Sequence, residues 1–234
     1  MGVLAFGLLP AAHAHHRDFS FSRDWFLPYK GEKEIEARTT YVPDEKAWIQ
    51  EFEFEYGITD DFAIEPGIEF HKDGDGDKLH LDGYEVELRF RIGTFATNRL
   101  LYAFNIGLDH PVRDESPHGE FQALFTYLTE EGTNFCANIN VGQSQVGDPE
   151  SESEFTFGVV TPFGANSREE MGYNVGFRGG IEFMRNLNDG SMRLGPTLVM
   201  RRNKNFNMLL SALFPLNNSD ENKSIFKFIA EYEF

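Results

Sequence analysis

The chain has little with which to fasten itself covalently. Of its 234 residues one is cysteine, Cys136, so no intrachain disulfide is available. Small secreted folds are usually stapled by disulfides; this chain must rely on its hydrogen-bond ladders. It also lacks any apolar run near the roughly 18–20 residues that a membrane-spanning helix needs. If it crosses a membrane, it does so with strands. Positive charge is scarce as well. Lys and Arg number 21 against 38 Asp and Glu, a formal net charge of -17. Phosphate affinity comes from Lys and Arg, so nucleic acid is excluded as a partner. No period of 3.6 is sustained anywhere, which argues against helix.

What is present is alternation. The stretch AWIQEFEFEYGITDDFAIEPGIEFH, from Ala47, sets Glu51, Glu53 and Glu55 against Phe52, Phe54 and Tyr56. After the polar break Thr59-Asp60-Asp61, Phe62, Ile64, Ile68 and Phe70 alternate with Ala63, Glu65, Gly67 and Glu69. A period of two is the strand period, and two such runs around a short break predict a β-hairpin. The same alternation recurs along the chain. Tyr84, Val86, Leu88, Phe90 and Ile92 face away from Glu85, Glu87, Arg89 and Arg91, and Phe226, Phe228, Ala230, Tyr232 and Phe234 from Lys227, Glu231 and Glu233. About twelve strands result, of the length needed to cross a bilayer at a tilt.

Alternation alone leaves the orientation open. In a soluble secreted ligand-binding sandwich the Phe face is the core. In an outer-membrane barrel it meets lipid, and the ionic face lines a wet interior. The connections favour the barrel. TDD, TFATN, TEEGTN and RNKN, after strands 2, 4, 6 and 10, are short. KDGDGDKLHLD, PVRDESPHG, QSQVGDPESE and PLNNSDENKS, after strands 3, 5, 7 and 11, are longer and mostly acidic. Short periplasmic turns and longer external loops are the barrel pattern, although TPFGANSREEMG after strand 8 runs against it. The expected fold is all-β: a closed antiparallel up-and-down transmembrane β-barrel of about 12 strands, spanning 32–234, with both termini periplasmic.

The start, MGVLAFGLLPAAHA, reads as a secretory signal over 1–14, with Ala12-His13-Ala14 as its cleavage pattern, though it lacks a positive n-region. Residues 15–31 have no clean period. Their Phe19, Phe21, Trp25 and Phe26 suggest a docked segment, either a periplasmic lead-in or a partial plug.

The ending FKFIAEYEF resembles the C-terminal strand of bacterial outer-membrane barrels, whose terminal aromatic is read by the barrel assembly machinery. The hairpin EYGITDDFAIEPGIEF resembles those of porin-like transporters of the phenol-degradation MetA-pathway type. Outer-membrane lipid, the assembly machinery and small solutes are the partners this resemblance implies.

In that orientation Glu51, Glu53, Glu55, Glu65, Glu69, Glu85, Glu87, Arg89, Arg91, Arg178, Glu182, Arg193 and Arg201 line the lumen. Fifteen inward carboxylates face seven inward bases on all strands together, with most of the Glu on strands 1 to 4 and three of the Arg on strands 9 and 10. Two readings stand side by side. One is a channel or transporter for small solutes that favours cations through its acidic rings. The other is a closed structural or interaction barrel, stiffened by Glu–Arg ladders.

Three further motifs invite a chemical reading. Asp73, Asp75 and Asp77 form the first half of a calcium loop, but Lys78 and Tyr84 occupy the sixth and twelfth positions. It is not an EF-hand; a loose calcium site at a loop tip stands beside a solvated acidic turn, and no other cofactor is called for. His13, His15 and His16 invite metal capture, but adjacent histidines at a terminus are more often incidental. His71, His110 and His118 fall near the external rim without a hydrolase motif, and Cys136 reads as a small lumen-facing filler, so no enzyme is expected.

Overall fold

The computed structural model describes residues 17–234 except 75–77, 96–98, 113–115, 145–150, 164–175, 204 and 218–222. The signal-like start, His13, His15, His16, Asp75, Asp77 and the loop after the eighth strand lie outside the described residues.

Twelve strands follow one another: β1 (Lys33–Val42), β2 (Ala47–Thr59), β3 (Phe62–Lys72), β4 (His80–Phe95), β5 (Leu100–Pro111), β6 (His118–Leu128), β7 (Asn134–Ser144), β8 (Ser151–Pro162), β9 (Gly176–Asn186), β10 (Met192–Asn203), β11 (Phe206–Pro215) and β12 (Ile225–Glu233). Each pairs antiparallel with its sequence neighbours, and β1 pairs with β12, closing the barrel. Closure removes the sheet edge, which hydrocarbon would penalise by several kcal/mol per unpaired backbone group. The up-and-down closed barrel is the fold that the period-two pattern predicts.

The faces lie as the membrane reading requires. Phe52 is 43% exposed and Phe228 41%, whereas Glu65 is 1% and Glu231 0% exposed. The aromatic rows point outward, and the ionic rows are buried inside. Outer rings pack across strands: Phe62 stacks on Phe90 at 4.7 Å between centroids, and Phe90 on Phe104 at 4.7 Å. Such cross-strand aromatic pairs add to ladder stability.

Several strands run further at the end with the longer connections than the alternation indicates. β4 begins at His80, inside the stretch read as loop, because the ladder persists there: His71 pairs with His80 across a bulge after Glu69. Amphipathic alternation fades at a rim that is wet on both faces, so it underestimates strand length.

Before β1 the chain makes a turn. Gly31 takes φ 87, and the Glu32 amide donates to the Tyr29 carbonyl at 2.9 Å. The backbone then clips onto β2: the Gly31 amide donates to the Gly57 carbonyl at 2.8 Å and the Gly57 amide to Glu32 at 3.1 Å. A Cβ on Gly57 would stand 1.9 Å from the Tyr29 carbonyl oxygen. Gly57→Ala should therefore loosen this clip by about 1–3 kcal/mol, the usual cost of overpacking. Faster trypsin cleavage after the exposed Lys30 is the readout; an unchanged cleavage rate would contradict the close approach.

Candidate functional site: a filled lumen beneath an acidic vestibule

Strand parity carries the inward side chains, and register sets their neighbours. On one row Glu231 pairs with Glu36 and Glu36 with Glu53; on the next, Glu233 pairs with Glu34 and Glu34 with Glu55. Further round, Glu51 pairs with Glu69, Glu65 with Glu87 and Glu85 with Asp109. Like charges directly opposite one another destabilise a sheet. These rows need cations among them.

Some cations come from the wall. The Arg38 guanidinium meets Glu36 and Glu53, and lies 3.7 Å from Glu51. Arg89 donates to Glu65 at 2.9 Å and approaches Glu55 at 3.4 Å. The rest come from residues 17–29, which thread the interior. Arg17 donates to Glu36 at 2.7 Å. Arg23 reaches Glu65 at 2.8 Å and Glu53 at 3.4 Å, and also pairs with Glu87. On the opposite wall Asp18 meets Arg201 at 2.8 Å and Arg178 at 3.0 Å. The segment presents cations to the Glu-rich β12–β4 side and an anion to the Arg-bearing β9–β10 side. It complements the transverse charge asymmetry of the wall.

Backbone contacts fix it in place. Glu182 on β9 accepts three successive amides, from Ser20 at 3.0 Å, Phe21 at 2.8 Å and Ser22 at 2.9 Å. Consecutive amides form such a nest around an anion readily. Asn138 on β7 grips Arg23 at both ends, accepting from its amide at 3.0 Å and donating to its carbonyl at 2.6 Å. The Cys136 thiol donates to the same carbonyl at 2.8 Å, so this cysteine is a lumen-facing partner of the segment. Nearer the end where the chain enters β1, Arg89 donates to the Phe26 carbonyl at 2.6 Å, and Arg91 to Leu27 at 3.1 Å while its guanidinium covers the Trp25 ring at 4.2 Å. Phe19 is fully buried against β8, where a Cβ on Gly158 would meet its ring at 2.5 Å.

Burial pushes the Asp24 carboxyl up to about 6, with the Asp18 carboxylate adding to the shift. A raised carboxyl binds its proton more tightly when docked than when free. Its contribution to docking is therefore present in acid and is lost as pH rises through about 6.

Of the sequence-predicted lumen residues, Glu53, Glu55, Glu65, Arg89, Glu182 and Arg201 are buried, and Glu51, Glu69, Glu85, Glu87, Arg91, Arg178 and Arg193 half-buried, all on inward positions. Arg193 donates to the Lys223 carbonyl at 2.8 Å. Asp73 is exposed at the rim just beyond β3. Sequence reasoning missed Arg17, Asp18 and Arg23 as members of the site. The available signal was the pair of Arg-Asp alternations, Arg17-Asp18 and Arg23-Asp24, in a stretch otherwise without pattern.

Above the segment, toward the end where the longer connections lie, the lumen opens. One pocket of about 510 Å³ is lined by Glu69, Asp82, Glu85, Asp109 and Glu152 among others, and an adjoining one of about 160 Å³ by Glu120, Glu152 and Glu154 with His118. Seven different carboxylates line the two, and among the described residues neither has a Lys or Arg in its lining.

No family model matches the sequence, and no curated protein matches it. The structure is similar to solved outer-membrane barrels. The KdgM porin in complex with disordered oligogalacturonate aligns with TM-score 0.62 at 9% identity, over 86% of this chain and 99% of that one. An outer membrane channel from Pseudomonas putida F1 aligns with TM-score 0.59 at 10% identity, over 93% and 98%. The NanC porin aligns with TM-score 0.55 at 7% identity, over 85% and 98%. At such identities the likeness is one of fold. That fold, with its aromatic rows turned outward, places the chain in the outer membrane.

Proposed function

We propose that the chain is a porin-like outer-membrane channel for small solutes that favours cations, and that residues 17–29 hold it closed at rest. The observation that carries the selectivity is the vestibule: among the described residues, seven carboxylates and no Lys or Arg line its two pockets. A cleft lined by one sign of charge concentrates counter-ions and raises their rate of entry. The observation that carries the closure is the docked segment, which touches the wall from β1 round to β12. The solved barrels it resembles are porins and channels, which favours transport over catalysis. Membership of the MetA-pathway type of porin-like transporter, and recognition of the strand ending at Phe234 by the assembly machinery, belong to the same reading.

The docked segment also favours the closed-barrel alternative, and conductance separates the two. In planar bilayers under a tenfold salt gradient, the reversal potential should take the sign of cation passage. Neutralising Glu85, Asp109 and Glu120 together to Gln, Asn and Gln should move it toward zero. Rim charges act mainly on entry rates and are screened by salt, so the effect should shrink near 1 M salt, where the Debye length is about 3 Å. An anion-selective current would overturn the proposal.

A further inference from the structure

The barrel closes on itself where β1 meets β12, and one inward carboxylate at this seam is left over. Glu34 on β1 stands between Glu55 on β2 and Glu233 on β12, its direct cross-strand partners. The charges that act on it most strongly are those of Glu231, Glu55, Glu36 and Glu233, all of its own sign. It is only 5% exposed. Among the described residues its side chain makes no hydrogen bond and no ion pair. A carboxylate taken out of water without a partner is costly, so something has to compensate it.

Glu34 lines a small cavity of about 10 Å³ beneath the docked segment. Glu36, Glu55 and Glu231 of the wall and Asp24 of the segment share the lining, so five carboxylates meet there. Three guanidiniums face them, from Arg17, Arg23 and Arg89. Ionised, the lining carries two negative charges in excess. None of the three guanidiniums is spare for Glu34. Arg17 is bound to Glu36, Arg23 to Glu65 and Glu87, and Arg89 to Glu65 and the Phe26 carbonyl. The other carboxylates have donors: Glu55 faces Arg89 at 3.4 Å, Glu231 accepts from Asn207 at 2.7 Å, and Asp24 accepts the Asp18 amide at 3.2 Å.

We propose that Glu34, Glu36 and Glu55 hold a calcium ion in this cavity, clamping the seam of the barrel beneath the segment. The spacing fits. One oxygen from each of the three lies within 4.8 Å of the other two. Calcium–oxygen bonds of about 2.3–2.6 Å let two oxygens of one shell stand up to roughly 4.6–5.2 Å apart, whereas magnesium's bonds of about 2.0–2.1 Å allow only roughly 4.0–4.2 Å. The space fits as well. A void of this size takes one water-sized sphere, enough for a bare ion but not for magnesium with the several waters it keeps. Carboxylates alone, without imidazole or thiolate, select a hard cation. Three of them binding through both oxygens supply up to about six of the six to eight oxygens calcium takes. The ion's two charges match the excess in the lining. It would tie β1 to β2 next to the β12 pairing, a cross-link in a chain that can form no disulfide. The site does not depend on conduction, because a barrel that never opens can still hold the ion.

Calcium retention by the full chain tests this. The chain is refolded in detergent with millimolar calcium, desalted in EGTA and assayed for bound metal by elemental mass spectrometry. EGTA strips the open vestibule and the rim loop, whereas an ion beneath the segment is shielded by protein. One calcium per chain is expected to remain. Glu34→Gln keeps the shape and removes the charge. It should lower retention by at least about tenfold, since even a partner outside the coordination shell is worth that much. Glu55→Gln should act in the same way, and serves if Glu34→Gln does not refold. Asp73→Asn with Asp75→Asn and Asp77→Asn, in the rim loop, should leave the retained ion in place. Calcium present during refolding should also raise the temperature at which the wild-type band shifts on heat-modifiable gels, because an ion that binds only the folded barrel stabilises it; Glu34→Gln should lose this shift. Excess magnesium should not replace calcium. A wild type that retains no calcium would mean that Glu34 carries a proton instead, and would overturn the site. Retention that survives both glutamine substitutions, retention lost in the rim-loop variant, or replacement by magnesium would overturn it equally.

Discussion

Deleting residues 17–29 should turn a barrel of low, intermittent conductance into a steadily open pore, with mean current up by roughly tenfold or more. The geometric part of the argument is plain. Side chains alone can fill a barrel of about eight strands, but a twelve-stranded lumen is wider. Here the extra cross-section is taken up by Phe19, Arg23, Asp24 and Leu27, all buried inside the wall. The electrostatic part runs the other way. Without Arg17 and Arg23, the Glu36–Glu53 and Glu65–Glu87 pairs lose shared cations. Water decides the balance. A carboxylate left in a dry cavity costs several kcal/mol, but the vacated lumen is continuous with the vestibule and admits water and counter-cations. The barrel should therefore still fold, with a lowered unfolding temperature on heat-modifiable gels. The current it passes should be cation-selective. A deletion variant that folds yet conducts no better than the full chain would establish the closed structural barrel instead.

Much of this architecture could be read from alternation, because a strand with one lipid face and one ionic face writes both into every second residue. Phe52 against Glu53 and Phe228 against Lys227 set the orientation of their strands without any knowledge of their neighbours. The docked segment could not be read that way. Its residues answer to strands all round the barrel: Ser20 to Glu182, Trp25 to Thr126 and Arg17 to Glu36. Its pattern is complementarity with side chains up to 214 positions away, not a period. The rim was illegible for a second reason. The bulge beside Asp82 breaks the alternation there, so nothing in the sequence pairs His71 with His80, and only the register joins them.

Arg23→Ala should weaken segment docking by about 3–5 kcal/mol, the range measured when one partner of a buried ion pair is removed. At 1.4 kcal/mol per decade this shifts the docked-to-undocked ratio by roughly two to three and a half decades. Arg23 is where the segment bridges the lumen. Its backbone is held by Asn138 and Cys136 on β7, while its side chain crosses to Glu53, Glu65 and Glu87 on β2, β3 and β4. Truncation leaves the backbone grip intact and removes one counter-charge shared by three carboxylates, so the loss falls on closure rather than on the barrel ladder. Arg23→Lys separates charge from geometry. A lysine restores one cation but not the planar fork that contacts separate carboxylates, so its effect should fall between wild type and alanine. Hydrogen exchange over residues 17–29 reads docking directly, and open probability in bilayers reads its consequence. The two should change together across the wild type, Arg23→Lys and Arg23→Ala. Protection and open probability unchanged in Arg23→Ala would mean that the amide nest on Glu182 and the Asp18 pairs with Arg178 and Arg201 hold the segment by themselves.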